Sequence, residues 1–217
     1  MIKAVFFDLD GTLADTIGDV AYVGNKALEE FSLPSIDKEL YKHFVGDGAK
    51  NLCDRMLVHL GVFDKEKSAE LLKTYLALYL KYEGEHISAY DGMKETLVEL
   101  ETQGKKLFVI SNKPCVNVKN ALKILYGVID FCEVLGGDSG FALKPATDSL
   151  FALMEKYGYK KEEVAYVGDG DADAKLYHAA GVFGISCLWG YRKKSELKQV
   201  GATVFAERPS DIVALTK

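Results

Sequence analysis

Short apolar runs rich in Val, Ile and Phe alternate along this chain with stretches of helical periodicity, and that alternation limits the fold more than any other feature. The runs are Ile2–Phe7, Lys106–Ile110, Cys132–Leu135, Val164–Val167 and Val182–Ser186, most of them followed at once by Asp, Ser or Gly. Runs without polar alternation suit strands covered on both faces, which means a parallel sheet with crossover helices. Between them Met93/Leu97/Leu100, Val118/Ala121/Leu122/Leu125 and Leu150/Leu153/Met154/Tyr157 recur at helical spacing. The pattern predicts an α/β fold, a Rossmann-like doubly wound parallel sheet, whose ligands bind at the carboxyl ends of the strands.

One stretch breaks the alternation. From Asp15 to about Glu83 no strand is expected, but two or three helices are. Leu71, Leu72, Tyr75, Leu76, Tyr79 and Tyr82 mark one amphipathic helix, and Leu52, Met56, Leu57 and Leu60 mark another. An all-helical insert directly after the first strand predicts a helical cap at residues 15–83 on a core of residues 1–14 and 84–217. Gly84-Glu85-His86 is the expected return hinge. Surface scaling for 217 residues gives roughly 9,900 Å² folded against about 35,000 Å² unfolded, so a core forms without disulfides or structural metals.

Charge excludes several functions. There are 27 Lys+Arg against 32 Asp+Glu, a formal charge of −5, and no basic block, which speaks against a nucleic-acid or membrane-surface binder. No apolar run approaches the ~20 residues that a bilayer demands. Cys53, Cys115, Cys132 and Cys187 are scattered without a CxxC pair, as free thiols of a reducing compartment are. The N-terminus reaches Asp8 too soon for a signal peptide, so the expectation is a cytoplasmic protein, monomer or homodimer.

The chemistry begins where Ala4-Val5-Phe6-Phe7 runs into Asp8-Leu9-Asp10-Gly11-Thr12. Asp8 and Asp10 share a side as the strand opens into a loop. Two close carboxylates repel and need a cation or a shared proton, and a hard divalent ion, Mg²⁺ above all, meets that need. An ordinary acidic turn would look the same in isolation. Three further sites fall at the carboxyl ends of other expected strands: Ser111-Asn112, Lys144-Pro145 opening a helix, and Gly168-Asp169-Gly170-Asp171-Ala172-Asp173. Singly, Ser111 could cap a helix, Lys144 could be solvated and the aspartates could be a loop. Together they place acids for a metal, and a hydroxyl and a cation for an anion, around one rim, as a phosphoryl-transfer site has them.

These four segments, in this order, resemble the motifs of the haloacid dehalogenase-like phosphohydrolases, and the likeness spans the chain. A helical insert between the first and second motifs is similar to that family's type-1 cap. The resemblance implies that Asp8 attacks phosphorus to form an aspartyl phosphate and that Asp10 is the general acid and base. It implies Mg²⁺ held by the Asp8 carboxylate, the Asp10 backbone carbonyl and Asp169, with Asp173 next and Asp171 a rival. It also implies that Ser111 and Lys144 hold the phosphoryl group, with Thr12 and Asn112 beside it. Dehalogenating members lack the second aspartate, which this chain has at Asp10. The motif's commoner Ser after Gly-Asp is Gly170 here.

Within the expected cap, Gly46-Asp47-Gly48-Ala49-Lys50-Asn51-Leu52 and Arg55 resemble the Gly-x-Gly-x-x-x-Leu loop and downstream Arg of phosphoglycolate phosphatases, as does Trp189-Gly190-Tyr191. Lys50 and Arg55 are therefore candidates for a substrate carboxylate, although Lys50 could pair with Asp54 four residues on and Arg55 with a surface acid. A hydrophobic wall is the preferred reading of Trp189. Asp15-Thr16 could cap a helix or serve the site. Leu71/Tyr75/Tyr79 reads as core, and His43, His59, His86 and His178 show no metal spacing. The expected partner is a small-molecule phosphate ester, 2-phosphoglycolate first. A sugar-phosphate mutase, a pyrophosphatase or a phospho-acceptor signalling module are the alternatives, and the cap and Asp10 speak against the last.

Overall fold

A computed structural model describes residues 1–217. Six parallel strands form the sheet: β1 (Ala4–Phe7), β4 (Lys106–Ile110), β5 (Phe131–Leu135), β6 (Val164–Gly168), β7 (Phe183–Cys187) and β8 (Phe205–Ala206). They lie in the order β5-β4-β1-β6-β7-β8, so the chain works outward from β1 in both directions. Every residue of β1 is buried, as a central strand with both faces covered demands. The period of two divides the core. Val5, Phe7, Val109 and Val167 join one cluster, while Phe6, Phe108 and Tyr166 join a second, with the Phe6 and Phe108 rings stacked at 4.5 Å.

Helices α5 (Met93–Thr102) and α6 (Cys115–Tyr126) cover the first face, and α7 (Asp148–Tyr157) and α8 (Asp171–Ala180) the second. The chain closes with α9 (Lys194–Gln199) and α10 (Asp211–Leu215). Doubly wound topology thus holds as the alternation predicts. Accessible surface comes to 10001 Å², close to the scaling value.

After β1 the chain makes β2 (Ala14–Asp15), then four helices: α1 (Ile17–Glu30), α2 (Lys38–Phe44), α3 (Gly48–His59) and α4 (Lys65–Tyr82). It returns through β3 (Ser88–Ala89), antiparallel to β2. The four helices bury a core of their own around Leu28, Tyr41, Met56, Leu57 and Leu71. Asp64 starts α4 by accepting from the Glu66 and Lys67 amides, and Asp37 starts α2 by accepting from Glu39. Buried Asp19 of α1 accepts from the Gly84 and His86 amides, binding the outgoing helix to the returning chain.

Several expectations shift. The first strand begins at Ala4 rather than Ile2, and four helices stand where two or three were expected. Leu60 lies one residue past the end of α3. Lys144-Pro145 sits in a turn and does not open a helix, since α7 starts at Asp148. Strands β2, β3 and β8 carry two residues each, too few to show a period. All four cysteines are free, with Cys53 and Cys187 buried.

Candidate active site

Register brings the motifs abreast. Phe7 lies opposite Val109 and Val167, so the residues leaving β1, β4 and β6 emerge together at one rim. The Asp8 amide donates to the Val167 carbonyl at 3.0 Å, which fixes the first residue past the strand. Gly11 turns the loop at φ +85°, and a Cβ there would collide with the Asp169 carboxylate.

Asp8, Asp169 and Asp173 each offer an oxygen within 4.8 Å of the others, all buried. Lys144 is the ammonium among them, 2.7 Å from Asp8 Oδ1 and 2.8 Å from Asp173 Oδ1. Its approach to Asp8 is an ion pair without hydrogen-bond alignment, so Asp8 Oδ1 is buried with no donor of its own. Three carboxylates face one ammonium. Burial first, and then the neighbouring carboxylates against the pull of Lys144, push Asp8 up to about 7. Burial, and then Asp173 and Asp8, push Asp169 up to about 8. Burial works against the charge of Lys144, but Asp173 and Asp8 outweigh it and raise the ammonium well above its ordinary range. An all-oxygen set short of positive charge fits a hard divalent cation.

Asp169 and Asp173 are held from outside the set. Thr12 donates to Asp169 Oδ1 at 3.2 Å and the Tyr191 amide donates to Asp169 Oδ2 at 2.7 Å. Asp173 accepts from the Gly170 amide at 3.0 Å and the Tyr166 hydroxyl at 3.2 Å. Asp171 lies outside the cluster, its Oδ1 3.9 Å from the Arg192 guanidinium. Asp10 Oδ1 accepts from Thr16 at 2.5 Å and from Lys113 at 3.0 Å, and no protein donor reaches Oδ2.

The space above Asp8 and Asp10 has two lobes. A polar lobe is lined by Lys144, Asp169, Asp173, Arg55 and Arg192. The other is walled by Val45, Leu52, Tyr75, Leu76 and Tyr79 from the helical layer, with Ser111, Asn112 and Lys113 below. Ser111 is buried at the end of β4 and faces this second lobe with Asp8.

Four expected substrate contacts have protein partners in the structure. Thr12 spends its hydroxyl on Asp169 and lines neither lobe. The Asn112 amide is consumed between Lys144 (its N–H at 2.8 Å and its carbonyl at 3.1 Å) and the Gly46 carbonyl at 2.9 Å, so it joins core to helical layer. Lys50 points to solvent, 72% exposed, and pairs with Asp54 at 2.7 Å because the i,i+4 partner lies on the same helix face. Arg55 reaches the polar lobe, but its guanidinium is committed to Asp47 and to the Phe44 carbonyl at 2.8 Å.

Other residues enter from segments the motifs do not cover. Lys113 follows Ser111-Asn112 directly, so its place at a strand end is the signal that could have found it. Thr16 stands at the N-cap of α1 but gives its hydroxyl to Asp10, not to the helix. The Trp189 indole packs as the wall expected and also donates to the Thr12 carbonyl at 3.0 Å. The Tyr191 hydroxyl accepts from the Thr16 amide at 2.9 Å. At Gly190 a Cβ would strike Asp169 and the Gly11 carbonyl, so glycine lets the loop close over the acids.

A model of the family described as haloacid dehalogenase-like hydrolase matches residues 5–186. A protein of Mannheimia succiniciproducens named phosphoglycolate phosphatase is 36% identical over 200 residues, 87% of each chain. One of the same name from Colwellia psychrerythraea is 30% identical over 204 residues, 92% of this chain and 90% of that one. A crystal structure from Haemophilus somnus, titled a predicted phosphoglycolate phosphatase, superposes with a TM-score of 0.90 at 27% identity, covering 100% of this chain and 98% of that one. One from Lactobacillus delbrueckii subsp. bulgaricus shares the fold at a TM-score of 0.92 and 24% identity, covering 99% and 98%.

Proposed function

The chain belongs to the haloacid dehalogenase-like hydrolases and is a phosphatase, and from that premise we propose that it hydrolyses small anionic phosphate monoesters, 2-phosphoglycolate first among them, with Mg²⁺ as cofactor and an aspartyl phosphate on Asp8. The observation that carries this reading is the buried set of Asp8, Asp169 and Asp173 around the Lys144 ammonium. Such a set binds a cation and an anion side by side. The name of the curated relatives supports the choice of substrate.

In the first half-reaction an Asp8 carboxylate oxygen bonds to phosphorus as the ester P–O bond breaks. Asp10, through its free Oδ2, gives a proton to the departing alkoxide. In the second, Asp10 takes a proton from water, whose oxygen attacks phosphorus, and Asp8 leaves as a carboxylate. Lys144 and Ser111 hold the transferring phosphoryl oxygens. The Asp8 and Asp169 carboxylates and the Asp10 carbonyl are the proposed Mg²⁺ ligands, Asp173 next in line, and the chemistry Mg²⁺ supplies there is neutralisation of charge on the phosphoryl oxygens. Residues 15–83 serve as the cap over this site.

Rapid quench with phosphate-labelled substrate tests the scheme. Wild-type protein is expected to carry an acid-stable, hydroxylamine-sensitive label, Asp8→Asn none, and Asp10→Asn a label that turns over at least ~10²-fold more slowly. Wild-type turnover by a folded Asp8→Asn variant would remove the nucleophile from the scheme.

A further inference from the structure

The second lobe borders Asp8, Asp10 and Ser111 together, which gives the leaving group of an ester attacked by Asp8 room beside the general acid, and Lys113 is the only cation that lines it. Its side chain is 8% exposed, bonded to Asp10 Oδ1 at 3.0 Å, and its ammonium lies 4.5 Å from the centre of the Tyr79 ring. An ammonium carries three donors, and Asp10 takes one. No other oxygen of the protein accepts from Lys113 Nζ, which leaves two N–H groups for the aromatic face and the lobe. Burial opposes the charge, but Asp10 first and then Tyr75 and Asp19 outweigh it, so the group stays an ammonium. The Asp19 carboxylate is itself occupied by the Gly84 and His86 amides.

The rival cations are committed elsewhere. Lys50 pairs with Asp54 in solvent, and Arg55 pairs with Asp47 on the polar side. Arg192 holds the Lys42 and Val45 carbonyls. The rest of the second lobe is mostly apolar, from Val45, Leu52, Tyr75, Leu76 and Tyr79, so an anion entering there has one place to go.

We infer that Lys113 is the specificity residue of this phosphatase: it takes the carboxylate of a short leaving group such as glycolate while remaining bonded to Asp10. This rests on the reading of Asp8 as nucleophile and Asp10 as general acid. The apolar walls around the ammonium exclude water and strengthen the charge pair, and they disfavour long polar leaving groups such as sugars.

The test compares kcat/KM for 2-phosphoglycolate and for ethyl phosphate, which keeps the two-carbon chain and lacks the carboxylate. Wild type is expected to favour 2-phosphoglycolate by about a hundredfold, the scale of one charge-assisted contact. Lys113→Gln keeps a donor for Asp10 and removes the charge. Both rates fall as Asp10 loses its ion partner, but the ratio is expected to drop below about tenfold, with Lys113→Arg recovering part of it. Lys113→Met gives the same ratio test with no donor left, should the glutamine variant not fold. A ratio that stays near the wild-type value in the charge-free variants makes Lys113 a support for Asp10 alone and overturns the inference. If wild type itself shows no preference while Asp8→Asn is dead on ethyl phosphate, the inference falls together with the 2-phosphoglycolate assignment, and the Asp8 chemistry stands.

Discussion

Lys144 is a single ammonium among three buried carboxylates, and its removal leaves Asp8 and Asp173 uncompensated. Breaking such a buried pair costs about 3–5 kcal/mol. Lys144→Met is therefore expected to lower the Tm of metal-free protein by roughly 6–20 °C at this chain length, and added Mg²⁺ to restore part of it. A metal-free Tm equal to that of wild type would show that the cluster holds its charge some other way. The acids and Lys144 were legible in the sequence because each stands at the end of an apolar run, where topology sends it to a common rim. Lys113 stands there too, but as one of 27 basic residues it carries no local mark of burial. Tyr79 from α4 packs against it over Asp10, and that contact spans parts of the chain no periodicity connects. Lys50 is the opposite case, where the pairing with Asp54 that the spacing offered is the one the structure shows. A cation in the first turn of a helix is unfavourable beside the dipole, but its i,i+4 partner Asp54 offsets that without any ligand.

The end of α2 and the loop that follows it meet the core through their carbonyls. Core residues reach across to them: Arg192 donates to the Lys42 and Val45 carbonyls, and Asn112 to the Gly46 carbonyl. Hydrogen bonds from a charged donor are each worth about 1.5–3 kcal/mol. Arg192→Gln is expected to speed amide hydrogen exchange in residues 42–48 by about tenfold or more and to leave β1 and β6 protected. Exchange unchanged in that loop would mean the helical core, not the arginine, holds it in place. The long elements were readable because a helix of 18 residues such as α4 repeats its apolar stripe several times. Strands β2 and β3 were not, since two residues show no alternation and the ribbon exists by pairing Ala14 with Ala89 across the whole helical insert. Helix α2, seven residues with only Tyr41 buried, offers no stripe either.

Over the whole molecule, the site trades stability for readiness to bind a cation. Asp8 and Asp169 hold protons up to about 7 and about 8 in the folded state, against roughly 3.9 for an unfolded aspartate. A raised acid pKa means the folded chain binds more protons than the unfolded one. The stability these groups lend is complete below about pH 4 and is lost as pH rises through 7 to 8. Metal-free protein is therefore expected to melt several degrees lower at pH 8.5 than at pH 6, since one pKa unit corresponds to about 1.4 kcal/mol. A bound divalent cation takes the place of those protons, so saturating Mg²⁺ should raise Tm far more at pH 8.5 than at pH 6. Asp169→Asn removes one of the two acids, and its metal-free melting should vary less with pH. Differential scanning calorimetry across pH 6–8.5, with and without Mg²⁺, reads both slopes. A metal-free Tm that holds level over that window, with a Mg²⁺ increment independent of pH, would mean that Asp8 and Asp169 are already ionised in the folded chain, balanced by Lys144 and solvent without need of a metal.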